Sequence, residues 1–230
     1  MNHHRHAQLY DAAKKKIISS NIQLYRLLLM SITNTHYVFA GIIGVVILQR
    51  LWEVRFSNLN RAKILKHGGK EHGDNLLTAV KILQVSWWIS SMVEVVLLKR
   101  PFLPALAFLS FAALAAGQTL RWYSMHHLEW RWTLSIMTLP NMPVVQSGPY
   151  GRIRHPNWLG VILEIAFLPL IHSAYLTSII FSLANAWLMR QRMFTEEAAL
   201  TEHTLNYKAA FQDIPRFIPL PLLTRNKKKE

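Results

Sequence analysis

Five apolar blocks separated by basic loops constrain this chain more than any other feature. They run from about Tyr37 to Leu51, Leu77 to Leu98, Phe102 to Leu120, Asn157 to Ile171 and Tyr175 to Met189. A helix needs about 20 residues to cross a bilayer, and about 17 at the short end. The second and third blocks meet that length. The other three fall slightly short, so they tilt little, thin the bilayer or borrow flanking residues. Pro101 and Pro104 mark a tight turn between blocks two and three, and Ile171-His172-Ser173-Ala174 separates blocks four and five. With 51% of 230 residues hydrophobic, and that apolarity gathered in blocks, the chain is predicted to be all-α. The expectation is a polytopic integral membrane bundle of about five transmembrane helices, closing in a C-terminal helical hairpin.

Charge orients the bundle. There are 26 Lys and Arg against 12 Asp and Glu, a net charge of +14. The basic residues sit beside apolar blocks, which fits cytoplasmic loops and membrane lipids with anionic headgroups, and not nucleic acid. The loop from Arg55 to Asp74, the segment from Arg121 to Arg154 and the C-terminal tail with Lys227, Lys228 and Lys229 are all basic. Five spans put all three on one side, which makes that side cytoplasmic. Lys99 and Arg100 at an outer turn run against the rule. So does the stretch 1–29, with Lys14, Lys15 and Lys16 and the short run Leu27-Leu28-Leu29. That stretch reads as an interfacial helix or as an extension ahead of a true start at Met30. The organisation expected is therefore an extension over 1–29, N-terminal helices and a cytoplasmic loop over 30–135, and a core carrying the site over 136–230. Zero cysteines exclude a disulfide framework and thiolate metal sites. His126 and His127 lack a third ligand at metal spacing, so no metal is expected.

Two polar clusters stand at the same mouth of the last hairpin. The first is Gly148-Pro149-Tyr150-Gly151-Arg152-Ile153-Arg154-His155-Pro156-Asn157-Trp158-Leu159-Gly160. Pro156 suits the first turn of a helix and holds the residue before it extended. Free backbone N–H groups beside Arg154 and His155 then make an anion site, or simply a basic helix cap at the membrane surface. Tyr150 and Trp158 fit an interfacial aromatic belt, or ring faces offered to a cation. The second cluster is Arg190, Arg192, Glu196 and Glu197. Arg192 and Glu196 are i and i+4 on one helix face, whereas Glu197 points elsewhere. Their plain reading is a surface ion pair; the alternative is a ligand site. Within the blocks, Glu94 and Glu164 are costly to bury, which makes each a functional candidate or the partner of a neighbouring arginine.

These residues resemble the isoprenylcysteine carboxyl methyltransferase family. The matching pieces are Gly148-Pro149-Tyr150, Arg154-His155-Pro156-Asn157-Trp158-Leu159-Gly160 and Arg192-Met193-Phe194-Thr195-Glu196-Glu197. A looser match runs from Tyr207-Lys208 to Ile214-Pro215-Arg216-Phe217-Ile218-Pro219. The likeness is specific from about Met142 to Pro219. It implies an S-adenosyl-L-methionine site at the cytoplasmic face, with cofactor contacts at Met142, Pro143, Val144, Val145, Tyr150, His155, Pro156, Asn157, Trp158 and Glu196. Arg192 would face the acceptor. Trp158 stands where the family carries Tyr, so a contact through a phenol oxygen is lost. Phospholipid methyltransferases and NADPH-linked sterol reductases carry related stretches.

Arg50-Leu51-Trp52-Glu53, Asn60-Arg61, Gly68-Gly69-Lys70-Glu71-His72-Gly73 and Arg131-Trp132-Thr133 look like bacterial members that methylate alkylpyrone or alkylresorcinol hydroxyls. The resemblance implies O-methylation of a lipophilic acceptor, one of those hydroxyls or an isoprenylcysteine-type carboxylate, in the bacterial inner membrane. For a hydroxyl, Glu164 would assist proton removal if it reaches the site. Phospholipid N-methylation is the nearest competing function, and a non-enzymatic membrane binding protein is the reading from another class.

Overall fold

The computed structural model describes residues 34–217, together with Lys14. The expectations for residues 1–29, the Met30 start and the Lys227–Lys229 tail lie outside the described residues, apart from Lys14. The described residues are mostly helical, and five long helices carry them. Helix α1 is Asn34–Lys66, α2 is Asp74–Leu97, α3 is Pro104–Leu128, α4 is Pro156–Leu170 and α5 is Tyr175–His203. A five-residue α6, Tyr207–Phe211, follows.

Among the described residues, two helices are long and apolar enough to cross a membrane: α1, and residues 76–97 of α2. Helix α4 is apolar but has 15 residues, short of the usual span. Large apolar side chains stay exposed around the bundle, among them Leu48 and Leu51 on α1, Phe108 and Leu109 on α3, and Ile179, Ile180 and Leu183 on α5. Contiguous apolar exposure of this kind suits lipid and not water.

The inward stripe of α1 changes character halfway. Phe39, Ile43 and Val46 are buried in its first half; Glu53, Ser57, Asn60 and Ile64 continue the same helical spacing in its second. The first set joins Trp87, Val95, Leu114, Ile165 and Leu168 in the apolar core. The second set faces the polar end of the bundle. Gly68, at φ +81, ends this helix in a left-handed turn that favours glycine.

Helix α3 packs along α4, and α2 along α5. The buried stripe of α3 is largely small: Ala107, Ser110, Gly117 and Ser124. At the crossing, a Cβ on Gly160 would meet the Gly117 carbonyl at 2.7 Å and the Arg121 side chain at 2.4 Å. Two glycines therefore set how closely these helices approach. Across the turn from α4, Glu94 of α2 accepts hydrogen bonds from the Leu176 and Thr177 amides at 3.1 and 2.6 Å, and Arg100 pairs with it at 2.8 Å. Glu94 thus caps the otherwise unsatisfied start of α5. Arg100, which runs against the loop-charge rule, is its counter-ion.

One local departure from an all-α chain is a two-stranded antiparallel ribbon. Strand β1, Lys70–His72, pairs with β2, Ile136–Thr138, in the register Lys70 with Thr138 and His72 with Ile136. Three residues a side are too few for an alternating pattern to announce them. The ribbon ties the loop after α1 to the segment leading into the polar site.

Candidate functional site

The loop before α4 is built from backbone constraints. Gly148 has φ +58, and a Cβ there would meet the His127 ring at 2.3 Å. The short helical turn Gly148–Gly151 that follows buries Tyr150, whose hydroxyl reaches Ser124 of α3. Burial, reinforced by Glu196, pushes the Tyr150 phenol well up, so it remains a neutral hydroxyl.

Helix α4 then begins at Pro156, as the proline placement predicts. The backbone donors of Arg154 and His155 are not free, however. They donate to the Pro215 and Arg216 carbonyls at 2.9 and 3.1 Å, and Arg154 Nε donates to the Ile214 carbonyl at 2.6 Å. The tail lies alongside the loop and consumes those donors, so the sequence-based expectation is corrected. With Leu159 bonded back to His155, the first-turn amides left for an anion are those of Asn157 and Trp158.

Helix α5 continues past its apolar part without a break and carries the second cluster to this loop. Trp158 Nε1 donates to Glu196 Oε2 at 3.2 Å. The Arg192 guanidinium lies 5.2 Å from the Trp158 ring, a cation–π contact that occupies one face of the indole. Arg192 is buried and its Nε has no hydrogen-bond partner; Glu196, one turn along the helix, acts on its charge without a direct ion pair. Arg190 instead stacks on Phe194.

Glu197, set aside by the spacing argument, is the hub of the loop. It accepts from His155 Nε2 at 3.0 Å and from Arg216 at 3.0 and 2.8 Å, with Arg154 at 3.8 Å. Burial works against its charge, yet the hydrogen bonds from His155 and Arg216 prevail and hold its carboxyl at about 2. A depressed carboxyl stabilises the fold above its unfolded pKa and loses that contribution as pH falls through the folded one. Glu197→Gln is therefore expected to lower thermal stability at neutral pH, with the gap from wild type closing between about pH 4.5 and 2. A gap that persists at the acid end counts against the ion-pair origin.

Behind this hub, which is itself off the wall, lies a cavity of about 540 Å³, within the ordinary range for small-molecule sites. Met142, Pro143, Val144, Val145, Tyr150, His155, Asn157, Trp158, Arg192 and Glu196 all line it. Pro156 and Glu164 do not. Pro156 is buried at the start of α4. Glu164 is fully buried and paired with Arg50, and Arg121 Nε stands 3.9 Å from it. Arg50 and Arg121 also reach Glu53, at 2.5 and 2.6 Å. Gln49 bridges Glu53 to Gln118. This quartet joins α1, α3 and α4 beneath the polar cavity, and three of its members, Arg50, Glu53 and Arg121, are on the wall. The expected alternative of Glu164 paired with an arginine from a neighbouring helix is what the structure shows, but sequence reading left the full quartet unassembled. The signal was present, four charges within or beside apolar helices, but nothing in the chain said that they meet. The far side of the cavity is the α2 face Leu77, Val80, Lys81, Gln84, Val85 and Trp88.

Fold and site together define a helical membrane protein with a largely apolar cavity, carrying a cluster of polar groups, where α1–α6 converge. The model of the isoprenylcysteine carboxyl methyltransferase family matches residues 108–202, from α3 to the end of α5. The uncharacterized protein YpbQ of Bacillus subtilis is 32% identical over 169 residues, covering 73% of this chain and 99% of the relative. An uncharacterized protein of Haemophilus influenzae is 23% identical over 164 residues, 71% of this chain and 92% of its own. The chain belongs to the isoprenylcysteine carboxyl methyltransferase family, a family of membrane methyltransferases.

Proposed function

We propose that this protein is a five-span S-adenosyl-L-methionine-dependent O-methyltransferase of the bacterial inner membrane, its cavity opening to the cytoplasm. Its acceptor is a lipophilic molecule bearing an alkylpyrone or alkylresorcinol hydroxyl or an isoprenylcysteine-type carboxylate. The observation that carries the reading is the meeting of Trp158, Arg192, Glu196 and His155 on one cavity wall. The basic loops beside it support the cytoplasmic orientation.

The donor set suits such a cofactor. The Asn157 and Trp158 amides at a helix start favour its carboxylate. Glu196 suits ribose hydroxyls, and Tyr150 offers a neutral aromatic face beside a sulfonium. When bound, the cofactor supplies an electrophilic methyl group. Around it, Tyr150 and Trp158 exclude water, while Arg192, held in no direct ion pair, holds the acceptor oxygen. Methyl transfer is an in-line displacement, so positioning and desolvation supply most of the acceleration. Glu164 serves here through Arg50 and Arg121 and not at the reacting atoms. The lipophilic tail leaves sideways between α1 and α2, past Leu51, Val54 and Val85.

Binding of labelled S-adenosyl-L-methionine to detergent-purified protein tests the reading. Wild type binds; His155→Ala and Glu196→Ala weaken binding at least tenfold, about 1.4 kcal/mol. A folded wild type that does not bind overturns it.

A further inference from the structure

The cavity-facing stripe of α2 follows a strict helical spacing: Leu77, Val80, Lys81, Gln84, Val85 and Trp88. Lys81 is its one charge. It lies within the apolar stretch 76–97, about 8 Å along the helix from Leu76, with Ile82 and Val85 exposed beside it. A cation placed there pays desolvation unless it reaches a polar partner or snorkels to the interface. Lys81 is exposed, and no carboxylate among the described residues pairs with it.

The other charges of the cavity sharpen the point. Glu53 is engaged by Arg50, Arg121 and Gln49, and Glu196 takes the Trp158 N–H. Arg154 leans on Glu197 and on the tail. Arg131 donates to the Pro143 carbonyl, and Arg192 at the polar end lies in the field of Glu196. Lys81 is the cation of the α2 wall, with no carboxylate or carbonyl partner among the described residues.

We infer that Lys81 is a specificity-determining residue, a cationic guide at the lateral mouth that selects acidic amphiphiles in their anionic form. The inference rests on the methyltransferase reading and deepens it. An acceptor whose hydroxyl is ionised at neutral pH is drawn past Lys81 to Arg192 already deprotonated. A neutral phenol gains nothing from Lys81, and an amine headgroup is repelled by it.

Two acceptors of matched chain length test this in zwitterionic nanodiscs: a long-chain 4-hydroxy-2-pyrone, ionised at neutral pH, and a long-chain resorcinol, neutral there. Lys81→Met is expected to raise KM for the pyrone about tenfold and to leave KM for the resorcinol, kcat and S-adenosyl-L-methionine binding unchanged. Lys81→Arg restores the wild-type preference. Equal losses on both acceptors, or no loss on either, overturn the proposal, as does a discrimination that appears only when anionic lipid is added. Thermal stabilisation by each acceptor is measured alongside. Lys81-dependent stabilisation by the pyrone without turnover keeps the guide and removes the methyltransferase reading. Turnover of both acceptors indifferent to Lys81 does the reverse.

Discussion

Arg192→Ala is expected to lower kcat/KM for the acceptor by about a hundred- to a thousandfold, with S-adenosyl-L-methionine binding largely kept. That is the scale of losing one preorganised donor at an oxygen whose charge changes during reaction. Preorganisation is visible in the geometry: Arg192 is buried, stacked on Trp158 at 5.2 Å, and held in no direct ion pair, with Glu196 acting on it only through its field. A guanidinium locked in a direct ion pair would have to break it before helping an acceptor; Arg192 makes no such contact, and only the field of Glu196 offsets its charge. Arg192→Lys should recover little, since an ammonium can neither stack in the same way nor present a planar fork. Single-turnover rates with cofactor saturating separate the chemical step from binding. A folded Arg192→Ala protein within tenfold of wild type removes Arg192 from the reacting oxygen.

The same residue shows how far the sequence could be read. Blocks separated by basic loops were enough to expect helices, and the long helices fall where the blocks fall. Their ends were not legible, because α1 and α5 run on as helices after their apolar windows close, through Lys66 and His203. That continuation carries Arg192 and Glu196 on the same helix as the last apolar block. Arg192 and Glu196 could be paired from i, i+4 spacing alone. Glu197 could not, because its partners His155 and Arg216 come from a loop and a tail distant in sequence. For the same reason the loop amides beside Arg154 looked available when the tail in fact binds them. Local spacing reports what shares a helix face. It is silent on which strand of chain lies across it.

The second large effect concerns the quartet of Arg50, Glu53, Arg121 and Glu164. Removing one charge from a buried set costs about 3–5 kcal/mol, because its partner is left uncompensated. Glu164 is fully buried and Arg121 nearly so, so Glu164→Leu is expected to destabilise the bundle on that scale, read by unfolding in detergent. Arg121→Met should cost a comparable amount. The double variant restores charge balance, leaves Arg50 with Glu53 at 2.5 Å, and should be less destabilised than the two losses added together. Simple additivity would show that the four groups do not act as a unit.

Kinetics then separate scaffold from chemistry. With its carboxylate held by Arg50 and Arg121, and off the cavity wall, Glu164 acts as a positioning residue. Glu164→Gln is therefore expected to keep the shape of the pH–rate profile while lowering thermal stability. A general base would behave otherwise, losing the limb of the profile that reports its ionisation. Loss of that limb in a stably folded Glu164→Gln protein would return Glu164 to the chemistry and require the cavity to open toward α4 during turnover.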